Sequence, residues 1–267
     1  MSRLYAIGDV HGDVERLLAL LRNARLTGDH GVWEGGDSTL IFTGDLTDRG
    51  REGNAVIGLV RDLEFEAESE GGRVECLMGN HDALILARAF EWRGEPADPD
   101  CRDLFIMNGG RDVEARELAQ HDNGDFEWLQ ARPLMVRVRD TLFQHADSAV
   151  FYGRLGNNVE EVNEKGAQLT QTGKGAWKIF YDMTDGRDWD MRGLRALRGA
   201  EATVQAHLQR FGARRVVHGH TRHLEPEPLV YFGGRAINVD GTLSEGYRRT
   251  PNRGFVADMD ALSYPSK

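Results

Sequence analysis

Gly8-Asp9-Val10-His11-Gly12 follows directly on the apolar run Leu4-Tyr5-Ala6-Ile7. A short apolar run closed by glycine is the pattern of a buried strand, and open α/β sheets bind ligands beyond the carboxyl ends of such strands. From that point Asp9 and His11, two positions apart, can grip one cation, while Val10 between them turns toward the core. The glycines let the backbone bend sharply and come close to a bound ion. A Gly-Asp turn after a strand is common, so the pentapeptide gains its meaning from repetition further along the chain.

Downstream, Val14, Leu17, Leu18, Leu21 and Leu26 recur with a helical period, with Asp13 at the N-cap position. Thr39-Leu40-Ile41-Phe42 reads as a second strand. It runs into Gly44-Asp45-Leu46-Thr47-Asp48-Arg49-Gly50, after which 54–68 is helical with Val56, Leu59, Val60 and Leu63 on one face. A third strand, 74–78, delivers Gly79-Asn80-His81-Asp82 and then a helix over 83–92. Three strand-turn-helix units in succession predict an α/β sheet with crossover helices.

Residues 95–100 read as loop, Asn108-Gly109-Gly110 as a turn, and 113–129 as helix broken at Asn123-Gly124. Leu134, Val136 and Val138 alternate with Met135, Arg137 and Arg139, a strand with one face in water. Leu142-Phe143-Gln144 then leads to His145-Ala146-Asp147. Residues 148–199 read as an inserted helical cap with Lys165, Lys174 and Lys178 in solvent and an aromatic group of Trp177, Phe180, Tyr181 and Trp189; a lid shaping substrate access is the alternative. A helix over 201–211, a strand 215–217 running into His218-Gly219-His220-Thr221, and strands at 236–239 and 255–259 complete one domain over residues 1–267.

Asp9, His11, Asp45, Asn80, His145 and His220 each end an apolar run beside a glycine or another small residue. Oxygen and nitrogen donors on five strand ends suit two metal ions that share one bridging carboxylate. Without a thiolate, the set favours manganese, iron, zinc or similar divalent ions. Two ions about 3.5 to 4 Å apart polarise a phosphoryl group and generate hydroxide near neutral pH, the chemistry of phosphate ester hydrolysis.

Composition is consistent with that reading. With 267 residues, 40% hydrophobic and 28% charged, the chain belongs to the globular class. No apolar run is long enough to span a bilayer, and Asp9 and His11 interrupt any signal pattern, so the expected location is cytoplasmic. Cys76 and Cys101 fall in no metal or redox spacing. The net charge of −10 argues against a nucleic-acid or anionic-membrane partner. An acidic protein that handles phosphate must gather positive charge locally, and metal ions supply it.

The ordered set GDVHG (8–12), GDLTDRG (44–50), GNHD (79–82), HAD (145–147) and GHT (219–221) resembles the metallophosphoesterase superfamily, within it the bacterial and phage branch of the serine/threonine phosphoprotein phosphatases. The resemblance implies two packed β-sheets flanked by helices, with a helical insertion. It implies Asp9 and His11 on one ion, Asp45 bridging, and Asn80, His145 and His220 on the other. Manganese is the expected metal, with iron, zinc or nickel also compatible. His81 would be the general acid, oriented and kept protonated by Asp48; Arg49 would grip phosphate oxygens, with Arg192 as second phosphate ligand and Arg187 and Arg195 as rivals. Asp82 stands where the eukaryotic phosphatases carry Glu, an Asp shared with the diadenosine tetraphosphatases, whereas Asp48 favours the protein phosphatase side. The implied reaction is hydrolysis of phosphoserine or phosphothreonine monoesters by direct attack of a hydroxide shared by the ions; the alternatives are dinucleoside tetraphosphates or another small phosphate ester. His218 and His223 flank the last ligand as further candidates, whereas His30, His121 and His207 have no assigned role.

Overall fold

The computed structural model describes residues 2–96, 98–189, 199–246 and 254–262. Strands β1 (Leu4–Ile7), β2 (Thr39–Phe42) and β3 (Arg73–Cys76) are parallel and lie in the order β3-β2-β1, with the short β9 (Ala257–Asp258) antiparallel at the edge. The second sheet has the order β4-β5-β6-β8-β7, formed by β4 (Met135–Val138), β5 (Thr141–Gln144), β6 (Arg215–His218), β8 (Ala236–Asn238) and β7 (Leu229–Tyr231). Within it β5, β6 and β8 are parallel.

Alternation along the strands decides the layering. Leu4, Ala6 and Ile41 join Phe143, Val217 and Ile237 in one apolar cluster between the sheets. The intervening Tyr5, Ile7, Leu40, Phe42, Leu142 and Val216 belong instead to the larger cluster that includes the helices. Period-two side chains thus bury both faces of each sheet, giving two packed sheets flanked by helices as expected.

Helix α1 (Val14–Asn23) starts where Asp13 caps it, the carboxylate accepting the Arg16 N–H at 3.2 Å, and buries Leu17 and Leu21. Helix α2 (Gly53–Ser69) buries Val56, Ile57, Val60 and Leu63. Helix α3 (Asn80–Trp92) has almost no exposed face, because α9 (Gly173–Thr184) lies over it; a Cβ at Gly173 of α9 would stand 2.9 Å from that of Phe90. The stretch 113–129 is two helices, α5 (Asp112–Gln120) and α6 (Asp125–Gln130), parted where expected. Three elements escaped the sequence reading: α4 (Cys101–Met107), a short helix after an acidic loop, β7, a three-residue edge strand, and the single 3-10 turn Phe232–Gly234 that follows it. Met135, expected to face water, is buried, since α8 (Val159–Leu169) packs beside β4.

Residues 149–184 form α7 (Ala149–Leu155), α8 (Val159–Leu169) and α9 (Gly173–Thr184). Tyr152, Val162, Ile179, Phe180 and Met183 enter the same cluster as the sheet-covering helices, while Lys165, Lys174, Lys178 and Tyr181 are exposed. Helix α10 (Ala200–Phe211) precedes β6. No described helix is long and apolar enough to cross a membrane.

Candidate dinuclear metal centre

Asp9 and His11 follow β1, Asp45 follows β2, Asn80 and His81 follow β3, His145 follows β5 and His220 follows β6. All leave the carboxyl ends of parallel strands, so the two sheets deliver them to one edge of the sandwich. Asp45 stands between the groups. Its Oδ2 is 3.6 Å from His11 Nε2 and its Oδ1 is 3.4 Å from His145 Nε2. His11, Asp45 and His81 form one set of converging donor atoms, and Asp45, His145 and His220 another, each within 4.8 Å. Asp9 joins the first, with Oδ2 3.8 Å from His11 Nε2.

Proton bookkeeping at the imidazoles tests whether cations fit. His11 Nδ1 lies 2.8 Å from the Thr47 carbonyl, which can only accept, so the ring proton sits on Nδ1 and the Nε2 lone pair faces Asp9 and Asp45. Burial, reinforced by Arg49, holds His11 well below its ordinary pKa, which keeps the ring neutral. His145 repeats the arrangement: Nδ1–H donates to the Thr43 carbonyl at 2.9 Å, and Nε2 meets Asn80 Oδ1 at 2.9 Å. Burial pushes His145 down to about 3. The Asn80 amide donates from Nδ2 to Thr184 Oγ1 at 3.2 Å, which turns its oxygen inward. His220 donates from Nε2 to the Thr184 carbonyl at 3.1 Å and presents Nδ1 to the same Asn80 oxygen at 3.0 Å. Neutral rings, an amide oxygen and carboxylates thus face one another lone pair to lone pair. Divalent cations satisfy all of them at once, and a nitrogen and oxygen donor set without thiolate is the set they take.

His81 sits against the first group, its ring centroid 4.8 Å from that of His11, yet both nitrogens are engaged elsewhere. Nδ1–H donates to Asp48 Oδ2 at 2.9 Å; Nε2 accepts from Arg49 Nη2 at 2.9 Å, since a guanidinium can only donate. The orientation by Asp48 is as expected. Burial, helped by His11 and Arg49, holds His81 well below its ordinary pKa.

The backbone is strained where these groups gather. Of nine described non-glycine residues with left-handed φ, five are His11, Asp45, Asp48, Arg49 and His220. Each costs on the order of 1 to 3 kcal/mol, persisting only where surroundings fix it. Asp82 supplies much of that fixing. Its carboxylate accepts from Asp45 N at 2.7 Å, Leu46 N at 2.9 Å, Gly79 N at 3.1 Å and Thr47 Oγ1 at 3.3 Å. Sequence reading noted Asp82 only as a family variation and missed this role.

A model of the calcineurin-like phosphoesterases matches residues 2–223, the span that holds every one of these donors. The chain belongs to that family. Shewanella-like protein phosphatase 1 of Plasmodium berghei is 28% identical over 255 residues, 91% of this chain and 67% of the relative. An uncharacterized protein of Schizosaccharomyces pombe is 41% identical over 261 residues, 91% of this chain and 74% of the relative. A symmetrical bis(5'-nucleosyl)-tetraphosphatase of Neisseria meningitidis is 30% identical over 142 residues, 53% of this chain and 42% of the relative. Among solved structures, a cold-active protein-tyrosine phosphatase of a psychrophilic Shewanella shares the fold, with TM-score 0.68 and 23% identity over 91% of this chain and 72% of its own.

In this calcineurin-like phosphoesterase Arg192 and its rival Arg195 lie outside the described residues. Arg187 donates from Nη1 to the Thr184 carbonyl at 3.0 Å and helps hold down the pKa of His145 and His220, which places its charge beside the second group. His218 turns away, its Nδ1 3.0 Å from the Gly219 carbonyl and its ring edge-on to Trp189. His223 packs against Phe255. His30 and His121 are exposed, and His207 is bonded to Gln144 Oε1 at 2.7 Å. The turn at Asn108-Gly109-Gly110 braces the Asp48-Arg49 loop, because the Gly109 carbonyl accepts the Arg49 N–H at 3.0 Å. One carboxylate escaped the sequence reading altogether. Asp240 follows β8 with a glycine after it, a strand-end carboxylate beside a glycine like Asp9 and Asp45, whose glycines come before them.

Proposed function

We propose that this phosphoesterase is a dinuclear-metal phosphatase hydrolysing phosphoserine and phosphothreonine monoesters in proteins, with manganese as its working metal. The observation that carries the reading is the hydrogen-bonded series Asp48–His81–Arg49 beside the donor groups. When bound, the two ions supply Lewis acidity and lower the pKa of water. Asp9 and His11 would hold the first, Asn80, His145 and His220 the second, and Asp45 would serve both.

The chain's own residues do the rest. Arg49 leaves His81 Nε2 for two phosphate oxygens, a forked contact that a guanidinium makes well. With the guanidinium gone and a phosphate dianion near, Nε2 takes up a proton from solvent, and Asp48 at Nδ1 stabilises the resulting imidazolium. His81 then delivers its Nε2 proton to the departing seryl or threonyl oxygen. A second arginine from 185–199 completes the phosphate grip; Arg187 has the supporting position, and Arg192 is the sequence-based choice.

The protein phosphatase relative that aligns with 91% of this chain supports a protein substrate. A second reading, hydrolysis of dinucleoside tetraphosphates, is favoured by the Neisseria relative, which aligns with 53%. Phosphate release from phosphothreonine, phosphoserine and phosphotyrosine peptides, set beside diadenosine tetraphosphate with Mn²⁺ and then with chelator, separates them. Chelator-sensitive turnover of the phosphothreonine and phosphoserine peptides is the expected result. Nucleoside diphosphates as the main product, or turnover confined to phosphotyrosine, would displace the reading.

A further inference from the structure

Six parallel strands end at the metal edge, yet the expected ligands occupy only five of them. The sixth is β8. Its pairing with β6 continues past the strand, since Val239 N donates to the His218 carbonyl at 2.8 Å, and this carries Asp240 to the level of Gly219 and His220. There it presses on the first motif. A Cβ at Gly8 would stand 2.3 Å from the Val239 oxygen and 2.7 Å from Asp240 Cα, so Asp240 abuts the residue before Asp9.

Asp240 is fully buried. Its Oδ1 accepts the Thr242 N–H at 3.2 Å, and its backbone N–H donates to Asn238 Oδ1 at 2.8 Å. Its Oδ2 has no hydrogen-bond donor among the described residues. Asp82, another fully buried carboxylate outside the expected roles, makes the contrast, because four donors satisfy it. A buried carboxylate oxygen without a donor costs several kcal/mol unless a cation meets it. The Asp240 carboxyl group meets that of Asp9, and Arg49 and Arg222 are the cations that act on it.

We propose that Asp240 is an additional ligand of the first metal ion, its Oδ2 joining Asp9, His11 and Asp45, and that it makes this the tighter of the two sites. The inference rests on the dinuclear reading above. An extra anionic oxygen strengthens binding of a hard divalent ion, while the second ion, held by Asn80, His145 and His220 with Asp45, has only the shared carboxylate.

Asp240→Asn tests it, because the amide keeps the Thr242 contact through Oδ1 and turns an N–H donor toward Asp9. Mn²⁺ binding by calorimetry and melting of metal-free and Mn²⁺-loaded protein are compared with the unmodified chain. We expect one of two sites to weaken about tenfold or more and the other to hold. We also expect the metal-free variant to melt no lower than the parent, since a carboxylate repulsion has become a hydrogen bond, while its gain on adding Mn²⁺ is smaller. Two sites of unchanged affinity would overturn the assignment. So would a metal-free variant that melts well below the parent and loses both sites equally, the mark of a purely structural residue; Asp240→Glu, which keeps the charge, should restore tight binding only if the charge is what matters. If the parent itself takes up fewer than two Mn²⁺, the dinuclear reading fails, and Asp240 falls with it.

Discussion

Asp82 accepts the backbone N–H of Asp45 at 2.7 Å, so the first turn of α3 holds the carboxylate that both donor groups share. Asp45 has a left-handed φ of 55°, and the charged acceptor offsets that strain. Hydrogen bonds to a charged group contribute about 1.5 to 3 kcal/mol each. Asp82→Ala is therefore expected to cost about 3 to 5 kcal/mol in urea unfolding and to lower Mn²⁺ occupancy, although Asp82 lies in neither donor group. Unchanged stability with full occupancy would remove Asp82 from the positioning role.

Gly79 is needed for space. A Cβ there would stand 2.2 Å from both Asp45 N and Asp45 Oδ1, while its φ of −87° is one any residue adopts. Gly71 is the opposite case, with φ at 78° and nothing within 4 Å of a Cβ. Gly79→Ala should abolish tight binding of two metals, whereas Gly71→Ala should cost about 1 kcal/mol of stability and leave turnover intact. Equal behaviour of the two variants in calorimetry and rate assays would refute this division.

Removing His81 should leave the metals in place. His81→Ala is expected to retain two Mn²⁺ and to lose about 10² to 10⁴ in kcat on a phosphothreonine peptide. The loss should be far smaller on an aryl phosphate whose leaving group needs no proton. An equal loss on both substrates would show that His81 acts otherwise than as an acid.

His207 makes stability pH-dependent away from the metal edge. Burial, with Arg210 as the lesser cause, pushes it down to about 3 from an ordinary 6.5. A lowered imidazole pKa means the fold favours the neutral ring, so this contribution is complete above pH 6.5 and declines as the pH falls toward 3. At pH 5 the loss is about 2 kcal/mol. His207→Gln, which keeps a donor for Gln144, should narrow the stability difference between pH 7 and pH 5 by that amount in denaturant titrations. Parallel curves for parent and variant would contradict it.

The sequence by itself determined the strand ends and the order of the donors. Each ligand sits one to four residues beyond a short apolar run, and because a buried strand must stop at a turn, run and donor are near one another in the chain and legible together. Asp13 as a cap and the break between α5 and α6 were readable for the same local reason. Tertiary structure alone decided what lies between distant segments. It set the ring protons through the carbonyls of Thr43, Thr47 and Thr184, which every residue type possesses and which therefore leave no mark in a sequence. It gave Asp82 the Asp45 loop to hold, buried Met135 beneath α8, and capped His81 with Arg49. Asp240 lies between the two cases: its strand-Asp-Gly pattern is local, but its nearness to Asp9 exists only because β8 pairs with β6 and the two sheets pack face to face.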